Sequence, residues 1–170
     1  MRGRDKATPQ GRRFFKQLKE LAKLQVRVGY QRGGDSDPES GADIVDIAAW
    51  NELGTEHIPS RPFLRQSVDK NRKLITAGCR EQIGKLVEGK ATTRDVLEEL
   101  GKMQIDLIRR EIRTGGFAPN APITVHGGWM RNQKSGKPFY VKGKKSDTPL
   151  IDTGRLRSAI QFVIEAKGDD

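Results

Sequence analysis

Two carboxylates and a lysine near the end of the sequence have the types and order that metal-dependent hydrolysis needs. Asp152 is followed by Glu165 and Lys167, and the last two share one predicted strand. Two carboxylates can hold a Mg²⁺ ion, and a lysine can steady a water molecule or a phosphate. The pattern is degenerate, however, in a chain of which 32% is charged. A magnesium-dependent nuclease is therefore kept only as a minor alternative.

Other reactive residue types are scarce and badly spaced for catalysis. His57 and His126 belong to no HxH, HxxxH or HExxH pattern, and Cys79 is the single cysteine. Cys79 falls on the apolar side of a predicted helix, where a small hydrophobe is more common than a reactive thiol. No Gly-Lys pair is followed by the hydroxyl residue of a phosphate-binding loop. We expect no enzyme activity, no metal and no cofactor.

The positive charge of the chain could serve a nucleic-acid partner. The formal net charge is +10 over 170 residues, yet only 6% of the residues are aromatic, so a stacking platform is weak. Phe139 and Tyr140 form the one aromatic cluster inside a basic stretch, 131–145, that contains no acid. A sequence-independent DNA-binding protein is the main alternative function. The candidate DNA-facing residues are Arg131, Lys134, Lys137, Lys142, Lys144 and Lys145.

Charge is distributed in blocks rather than evenly. Residues 1–32 carry a balance of +8, residues 33–60 a balance of −7 without any Lys or Arg, and residues 61–85 a balance of +5. Residues 86–130 are balanced, and residues 131–170 carry +4. Such alternation predicts that unlike surfaces meet, either within the fold or between copies in a head-to-tail ring. The alternative is that each run is a solvated face without a partner.

Hydrophobic periodicity predicts an α+β fold with strands towards the chain ends and helices between them. The sheet is expected to have at least two strands and to pack with about three to four helices. The predicted helices are 10–24, 42–53, a long helix that follows a cap at Ser60 and runs to about residue 88, and about 93–113 after a cap at Thr92 or Thr93. The predicted strands are 25–30 and a second that starts near Leu156 or Ser158 and runs to Glu165. Residues 114–149 are predicted to be an extended arm or a weak hairpin.

The side chains expected to face the core follow from the same periodicity. Helix 10–24 should pack a stripe containing Phe14, Phe15, Leu18 and Leu21 on a sheet, with its basic side in solvent. In helix 42–53, Ile44, Ile47, Ala48, Trp50 and Leu53 are expected to form the buried side.

Size and composition indicate one domain with an extension. We expect residues 1–24 to form a basic amphipathic extension and residues 25–170 a single domain. No apolar run has the length of a membrane span, and no apolar stretch follows the charged start, so neither a membrane partner nor a secretory signal is expected. Hydrophobic residues (Ala, Val, Ile, Leu, Met, Phe, Trp, Tyr and Cys) make up only 34% of the chain. This thin core is typical of a subunit that completes its burial against partners.

Two segments together resemble a known family of viral proteins. The first is Ile47-Ala-Ala-Trp-Asn-Glu-Leu-Gly-Thr-Glu-His-Ile-Pro-Ser-Arg-Pro-Phe-Leu-Arg65, and the second is Pro149-Leu-Ile-Asp-Thr-Gly-Arg-Leu-Arg-Ser-Ala-Ile160. Their pairing and order are similar to those of the tail-completion, or tail-to-head joining, proteins of tailed bacteriophages. Phe117-Ala-Pro-Asn-Ala-Pro122 resembles the stretch that precedes the second motif in that family. The motif and interface candidates are Trp50, Glu52, Gly54, Pro59, Arg61, Pro62, Phe63, Leu64, Asp152, Thr153, Gly154 and Leu156.

Elementary chemistry gives these motifs structural roles. Gly54 should end a helix with positive φ, Ser60 should cap the next helix, and Pro62 suits that helix's first turn. Arg61 is expected to reach carboxylates of the acidic 33–60 block, in its own chain or a neighbour. Asp152 and Thr153 should satisfy the amides of a turn in which Gly154 takes positive φ. Phe63, Leu64 and Leu156 should return the chain to the core.

The resemblance implies a small α+β domain with a curved antiparallel sheet packed with helices, and it implies a non-enzymatic virion protein. Members of this family complete the tail and assemble as a ring, expected to be sixfold, at its head-proximal end. The implied partners are further copies of the chain, a tail terminator or tail tube protein, and a head connector, adaptor or stopper protein. Double-stranded DNA would pass through the ring and meet basic residues without sequence-specific contacts. The implied location is the virion neck, after assembly in the host cytoplasm.

Overall fold

The chain folds as an α+β protein, as predicted. The computed structural model describes residues 8–37, 41–132, 135–143, 148–150 and 154–168. Its helices are α1 (Pro9–Lys23), α2 (Ile44–Leu53), α3 (Phe63–Asp69), α4 (Arg72–Val87), α5 (Thr93–Thr114), α6 (Pro122–His126) and α7 (Arg155–Ser158). Its strands are β1 (Leu24–Gly29), β2 (Gly128–Arg131), β3 (Pro138–Val141) and β4 (Gln161–Ala166). The described part therefore has more helices than the three to four expected, because three of the seven span only four to seven residues.

The chain divides into two compact units, each built from separated segments. Unit 1 takes in the described parts of Met1–Gly29, Ser67–Ile108 and Ile160–Asp170. Unit 2 takes in those of Tyr30–Gln66 and Arg109–Ala159. Helix α1 thus belongs to the same unit as β1 and α4, and both resembling motifs belong largely to unit 2.

Unit 1 contains the predicted pairing of the two terminal strands. Strands β1 and β4 are antiparallel, with a register from Leu24 opposite Ala166 to Gly29 opposite Gln161. Strand β4 starts later than predicted because the residues before it form the short helix α7 and a bend. The buried apolar residues of this unit lie mostly on α5 and are Val96, Leu97, Ile105, Leu107 and Ile108.

Helix α1 is confirmed, but its apolar stripe is not packed as predicted. Phe14 and Leu21 are half-buried, whereas Phe15 and Leu18 are exposed. The helix is held to α5 by polar contacts instead. The Thr93 N–H donates to Gln17 Oε1 at 2.6 Å, and the Thr93 hydroxyl donates to the Gln17 carbonyl at 2.8 Å.

The prediction of one long helix up to about residue 88 is wrong, since the helix is interrupted at residues 70 and 71, between α3 and α4. The Asn71 side chain donates to the Ser67 carbonyl at 2.8 Å, and the Asn71 N–H turns to the Val68 carbonyl at 3.1 Å. The Ser67 carbonyl is the acceptor that an unbroken α-helix would pair with the Asn71 N–H. A local side-chain bond thus replaces the helical one, and α3 ends there.

The start of α5 confirms the cap at Thr92. The Thr92 hydroxyl accepts from the Asp95 N–H at 3.3 Å, while Asp95 Oδ2 accepts from the Thr92 N–H at 2.8 Å. This reciprocal pairing is a capping box. The Thr92 N–H and hydroxyl lower the pKa of the Asp95 carboxyl below its usual value.

In unit 2, the buried side of α2 differs from the prediction. Ile44 and Ala48 are buried, but Trp50 is 44% exposed and Leu53 is 70% exposed. With 100° between successive residues, Leu53 lies opposite the line joining Ile44 and Ala48, and Trp50 lies towards the same outer side. The prediction was wrong because the apolar residues of α2 are distributed around the helix, so composition could not identify the inner side.

The segment 114–149 contains more regular structure than an extended arm. A five-residue helix, α6, starts at Pro122, and β2 and β3 pair in an antiparallel hairpin with Trp129 opposite Tyr140. The prediction of a hairpin is confirmed for this part. Helix α6 was not predicted because five residues are too few to show a helical period.

Candidate functional site

The first resembling motif forms a corner in which one carboxylate organises the next helix. Glu52, near the end of α2, accepts the Leu64 N–H at 2.8 Å and the Arg65 N–H at 3.0 Å. Both N–H groups lie in the first turn of α3, where amides have no helical partner and negative charge is favoured. Ser60 was predicted to cap this helix, and that is wrong. Its hydroxyl donates instead to the Glu52 carbonyl at 2.9 Å.

Between Glu52 and α3 the chain makes a tight reversal that depends on Gly54. Gly54 ends α2 with φ 79°, and its N–H donates to the Trp50 carbonyl. A Cβ atom at Gly54 would lie 2.9 Å from the Ser60 nitrogen. Thr55 then accepts the Ile58 N–H on its hydroxyl at 3.0 Å. The glycine is thus required by both its dihedral and its close approach to the returning chain.

Arg61 is a buried cation that bonds to carbonyl and amide oxygens. Only 6% of the surface of Arg61 is exposed. It donates to the carbonyls of Ala118 (2.9 Å) and Pro119 (3.0 Å) and to the side-chain oxygens of Asn51 (3.1 Å) and Asn120 (3.2 Å). Burial lowers the pKa of the Arg61 guanidinium from its usual value, although arginine stays charged at working pH.

This arrangement corrects the expectation that Arg61 reaches carboxylates of the acidic block. Within the described part of the chain, the partners of Arg61 are neutral oxygens, and the nearby Glu52 carboxylate is committed to α3. The oxygens of Ala118, Pro119 and Asn120 belong to the 117–122 stretch that the family resemblance also covers. Arg61 therefore fastens this stretch to the corner that follows α2.

Tyr30 connects the first motif to the second. Its ring meets that of Phe63 edge-on, with centroids 6.3 Å apart, and its hydroxyl donates to the Leu156 carbonyl at 2.8 Å. Phe63 and Leu156 are both buried. Burial, with a smaller contribution from the Glu52 charge, raises the pKa of the Tyr30 phenol well above its usual value. Tyr30 thus contacts a ring of the first motif and the backbone of the second within unit 2.

The second motif is described at Pro149 and Leu150 and again from Gly154 onward. Gly154 has the predicted positive φ, 78°, and Leu156 is buried as predicted. Asp152 and Thr153 lie outside the described residues. Next to them in sequence, Arg155 donates to Asp35 Oδ1 at 3.1 Å and to the Ser36 carbonyl at 2.6 Å. This bridge fixes the loop after β1 against the start of α7.

Part of the acidic block is engaged inside its own unit. Asp35 pairs with Arg155 at 3.1 Å, and Asp46 pairs with Arg32 at 2.8 Å. Asp43 accepts the N–H groups of Gly33 and Val45 at the start of α2, and these bonds lower the pKa of its carboxyl. Glu56, in contrast, is exposed in the turn after α2. Several acids of the 33–60 block thus bond to groups within their own unit.

The β2–β3 hairpin presents large apolar side chains on both of its faces. Trp129 is 73% exposed and Tyr140 is 59% exposed, and their rings pack edge to face across the strands with centroids 5.5 Å apart. Met130 and Phe139 are exposed on the opposite face. Arg131, Lys137 and Lys142 are exposed around them. The predicted basic residues Lys134, Lys144 and Lys145 lie outside the described part of the chain.

The nuclease arrangement gains no support from the described residues. Glu165 accepts from Gln25 at 3.1 Å and pairs with Arg27 at 2.7 Å, while Asp152 is not described. In the part of the chain that the structure covers, no three His, Cys, Asp or Glu residues are grouped to hold a metal. His57 and His126 are both exposed, and Cys79 is half-buried rather than buried. None of the helices among the described residues has the length and hydropathy of a membrane span.

The sequence did not identify most of the residues whose side chains bond one segment of unit 2 to another. The capping role of Glu52 had a signal, since a carboxylate lies close before a predicted helix start, but Ser60 offered a more usual cap. Tyr30 carried no signal, because its partner Leu156 is 126 residues away.

Comparisons with protein-family models, with curated proteins and with solved structures found no match for this chain.

Proposed function

We propose that this chain is a structural virion protein. In this proposal it assembles as a ring, expected to be a hexamer, at the head-proximal end of a bacteriophage tail. There it completes the tail and joins it to the head connector. Its partners are a tail terminator or tail tube protein on one side and a connector, adaptor or stopper protein on the other. The ring would surround passing double-stranded DNA in the virion neck.

The observation that carries the proposal is the exposure of large apolar side chains on two separate elements of unit 2. Leu53 on α2 and Trp129 on the hairpin are each at least 70% exposed. Single exposed hydrophobes are ordinary, but grouped ones mark protein contacts. A subunit whose neighbours cover these groups accounts for them, and also for the low hydrophobic fraction of the chain.

The two resembling motifs support the same conclusion through their structural roles. Glu52, Arg61 and Tyr30 bond to backbone groups, and these contacts hold α3, the 117–122 stretch and α7 in unit 2. The motifs therefore define a fold rather than a reacting centre.

The direct test is genetic and uses the whole virion. Deleting the gene from its phage or prophage should leave filled heads and free tails that do not join, as seen by electron microscopy. Supplying the intact protein from a plasmid should restore joined particles. Complete, infectious virions in the deletion strain would contradict the proposal.

Sequence-independent DNA binding remains a second candidate, because the described hairpin carries Arg131, Lys137 and Lys142 beside exposed aromatic rings. Such a protein should bind duplex DNA with a steep dependence on salt. A ring subunit should bind free duplex weakly. Titration of a labelled duplex at about 50 and 200 mM salt therefore separates the two candidates.

A further inference from the structure

The described hairpin exposes large apolar side chains on both of its faces. In an antiparallel pair, directly opposed residues share one face of the ribbon, so Trp129, Tyr140 and Arg131 lie on one face. Met130 and Phe139 lie on the other. All four large apolar side chains are exposed. A two-stranded ribbon with two apolar faces is not stable in water by its own pairing, so a partner that encloses it is expected.

The hairpin is also uniformly basic, which narrows the choice of partner. Residues 112–146 include no Asp or Glu and seven Lys or Arg. Among the described ones, Arg131, Lys137 and Lys142 are exposed. An enclosing surface should therefore be both apolar and acidic.

The outer side of α2 has both of these properties. Asp46, Ala49, Trp50 and Leu53 share this side of the helix, and Glu56 follows it in the next turn. Trp50 and Leu53 are exposed. Grouped exposed apolar side chains mark protein contacts, so the outer side of α2 is expected to be covered in an assembly.

The net charge of this surface stays negative after the ion pairs within the unit are counted. Residues 33–60 hold seven acids and no Lys or Arg. Arg32 and Arg155 each neutralise one of these acids, Asp46 and Asp35 respectively. Asp43 and Glu52 are bonded to neutral N–H groups, so they keep their charge. Glu56 is exposed. The region thus remains net negative beside two exposed apolar side chains.

We propose that the hairpin of one copy of this chain docks on the outer side of α2 of a second copy. In one and the same chain Trp129 is 73% exposed and Leu53 is 70% exposed, so neither covers the other. Because the two surfaces are different, each copy offers one donor and one acceptor, and the contact is heterologous. Heterologous contacts propagate from copy to copy, and they close into a ring when the rotation between neighbouring copies closes. This inference rests on the proposed function and names the contact that would build its ring.

The two surfaces can be removed separately with little risk to folding, because the side chains concerned are exposed. A hairpin variant carries Trp129→Ser with Tyr140→Ser. An acceptor variant carries Leu53→Arg, which places a cation where the basic hairpin should dock. Phe15→Arg on α1 is the matched control, since it also replaces an exposed apolar residue by arginine.

Sedimentation velocity of the full chain over a range of concentrations measures the contact. The intact protein and the Phe15→Arg control should form oligomers with the same affinity. Each variant alone should raise the dissociation constant at least about tenfold, as loss of a central contact residue does. An equal mixture of the two variants should give 1:1 dimers that grow no further, because only one intact donor and one intact acceptor remain.

Several outcomes would overturn this contact. Oligomers of unchanged size and affinity in either variant would do so while leaving the proposed ring intact. A mixture that stays monomeric would exclude a heterologous contact between these two surfaces. A hairpin variant that self-associates normally but loses affinity for a duplex oligonucleotide would identify DNA as the occupant. An intact protein that is monomeric throughout would also overturn it, while the proposed function would still be decided by the virions of the deletion strain.

Discussion

The hydroxyl of Tyr30 donates a hydrogen bond to the backbone carbonyl of Leu156, 126 residues further along the chain, at 2.8 Å. The same ring packs edge-on against Phe63. One side chain at the end of β1 therefore joins the two motifs on which the family resemblance depends. Its burial means that the bond is not exchanged for one to water without cost.

Tyr30→Phe should keep the ring packing and lose only the hydroxyl. The Leu156 carbonyl would then be left without this donor, so we expect the free energy of unfolding to fall by about 1–2 kcal/mol. Urea unfolding followed by circular dichroism measures the change. Tyr140→Phe is the matched control, because its hydroxyl belongs to an exposed residue. An equal loss in both variants would contradict the role given to Tyr30.

The pH dependence of stability gives a second test of Tyr30. Because its pKa is raised above the usual 10.0, the folded state keeps the phenolic proton at pH values where the unfolded chain releases it. This stabilisation is complete below about pH 10 and decreases as the pH rises further. Between about pH 10 and 11.5 the intact protein should lose stability more steeply than Tyr30→Phe. Parallel slopes for the two proteins would exclude a buried, neutral phenol at this position.

The Glu52 carboxylate should contribute to stability through the first turn of α3. Glu52→Ala removes the acceptor of two N–H groups, and we expect a loss of about 1–2 kcal/mol in the free energy of unfolding. Glu52→Gln should cost less, because its amide oxygen can still accept one of them. Glu56→Ala, in the exposed turn that follows, should stay within about 0.5 kcal/mol of the intact protein. A similar loss from both alanine variants would show that the cap is not what Glu52 supplies.

Replacement of Arg61 should lower the free energy of unfolding even when the new residue is lysine. Its guanidinium serves four oxygens in fixed directions, whereas a lysine ammonium has three donors and a compact shape. We expect Arg61→Lys to cost about 2–4 kcal/mol, since buried oxygens lose their donors. Arg65→Lys, at an exposed position four residues later, should change little. Hydrogen exchange should also become faster around residues 118–120 in Arg61→Lys, and unchanged exchange there would contradict the fastening role.

Local signals predicted much of the fold because they act over few residues. The Thr92–Asp95 capping box, the positive φ of Gly154 and the alternation of β1 each follow from neighbours in sequence. The packing of α2 did not follow. Its apolar residues surround the helix, so only the tertiary structure determines that Ile44 and Ala48 are inside and Leu53 is outside.

The sequence predicted that Arg61 would bond to oxygen acceptors, but it did not predict which residues supply them. A buried arginine needs several acceptors, and the acidic block offered carboxylates nearby in sequence. The structure gives those acceptors to Arg61 from Asn51 and from residues 118–120, which are more than 50 positions away. Long-range pairing of this kind leaves no periodicity in the sequence.

Gly54 should be far less replaceable than another glycine with the same kind of backbone. Both Gly54 and Gly89 have positive φ, 79° and 72°. A Cβ at Gly54 would meet the Ser60 nitrogen at 2.9 Å, whereas a Cβ at Gly89 would have no atom within 4 Å. Gly89→Ala should therefore cost about 1 kcal/mol for the dihedral alone. Gly54→Ala should cost clearly more, about 2–4 kcal/mol, because the returning chain must also move. Thermal unfolding of the two variants side by side measures the difference. Equal losses would mean that the reversal after α2 yields easily, and that the close approach of Ser60 to Gly54 does not determine the geometry of the corner.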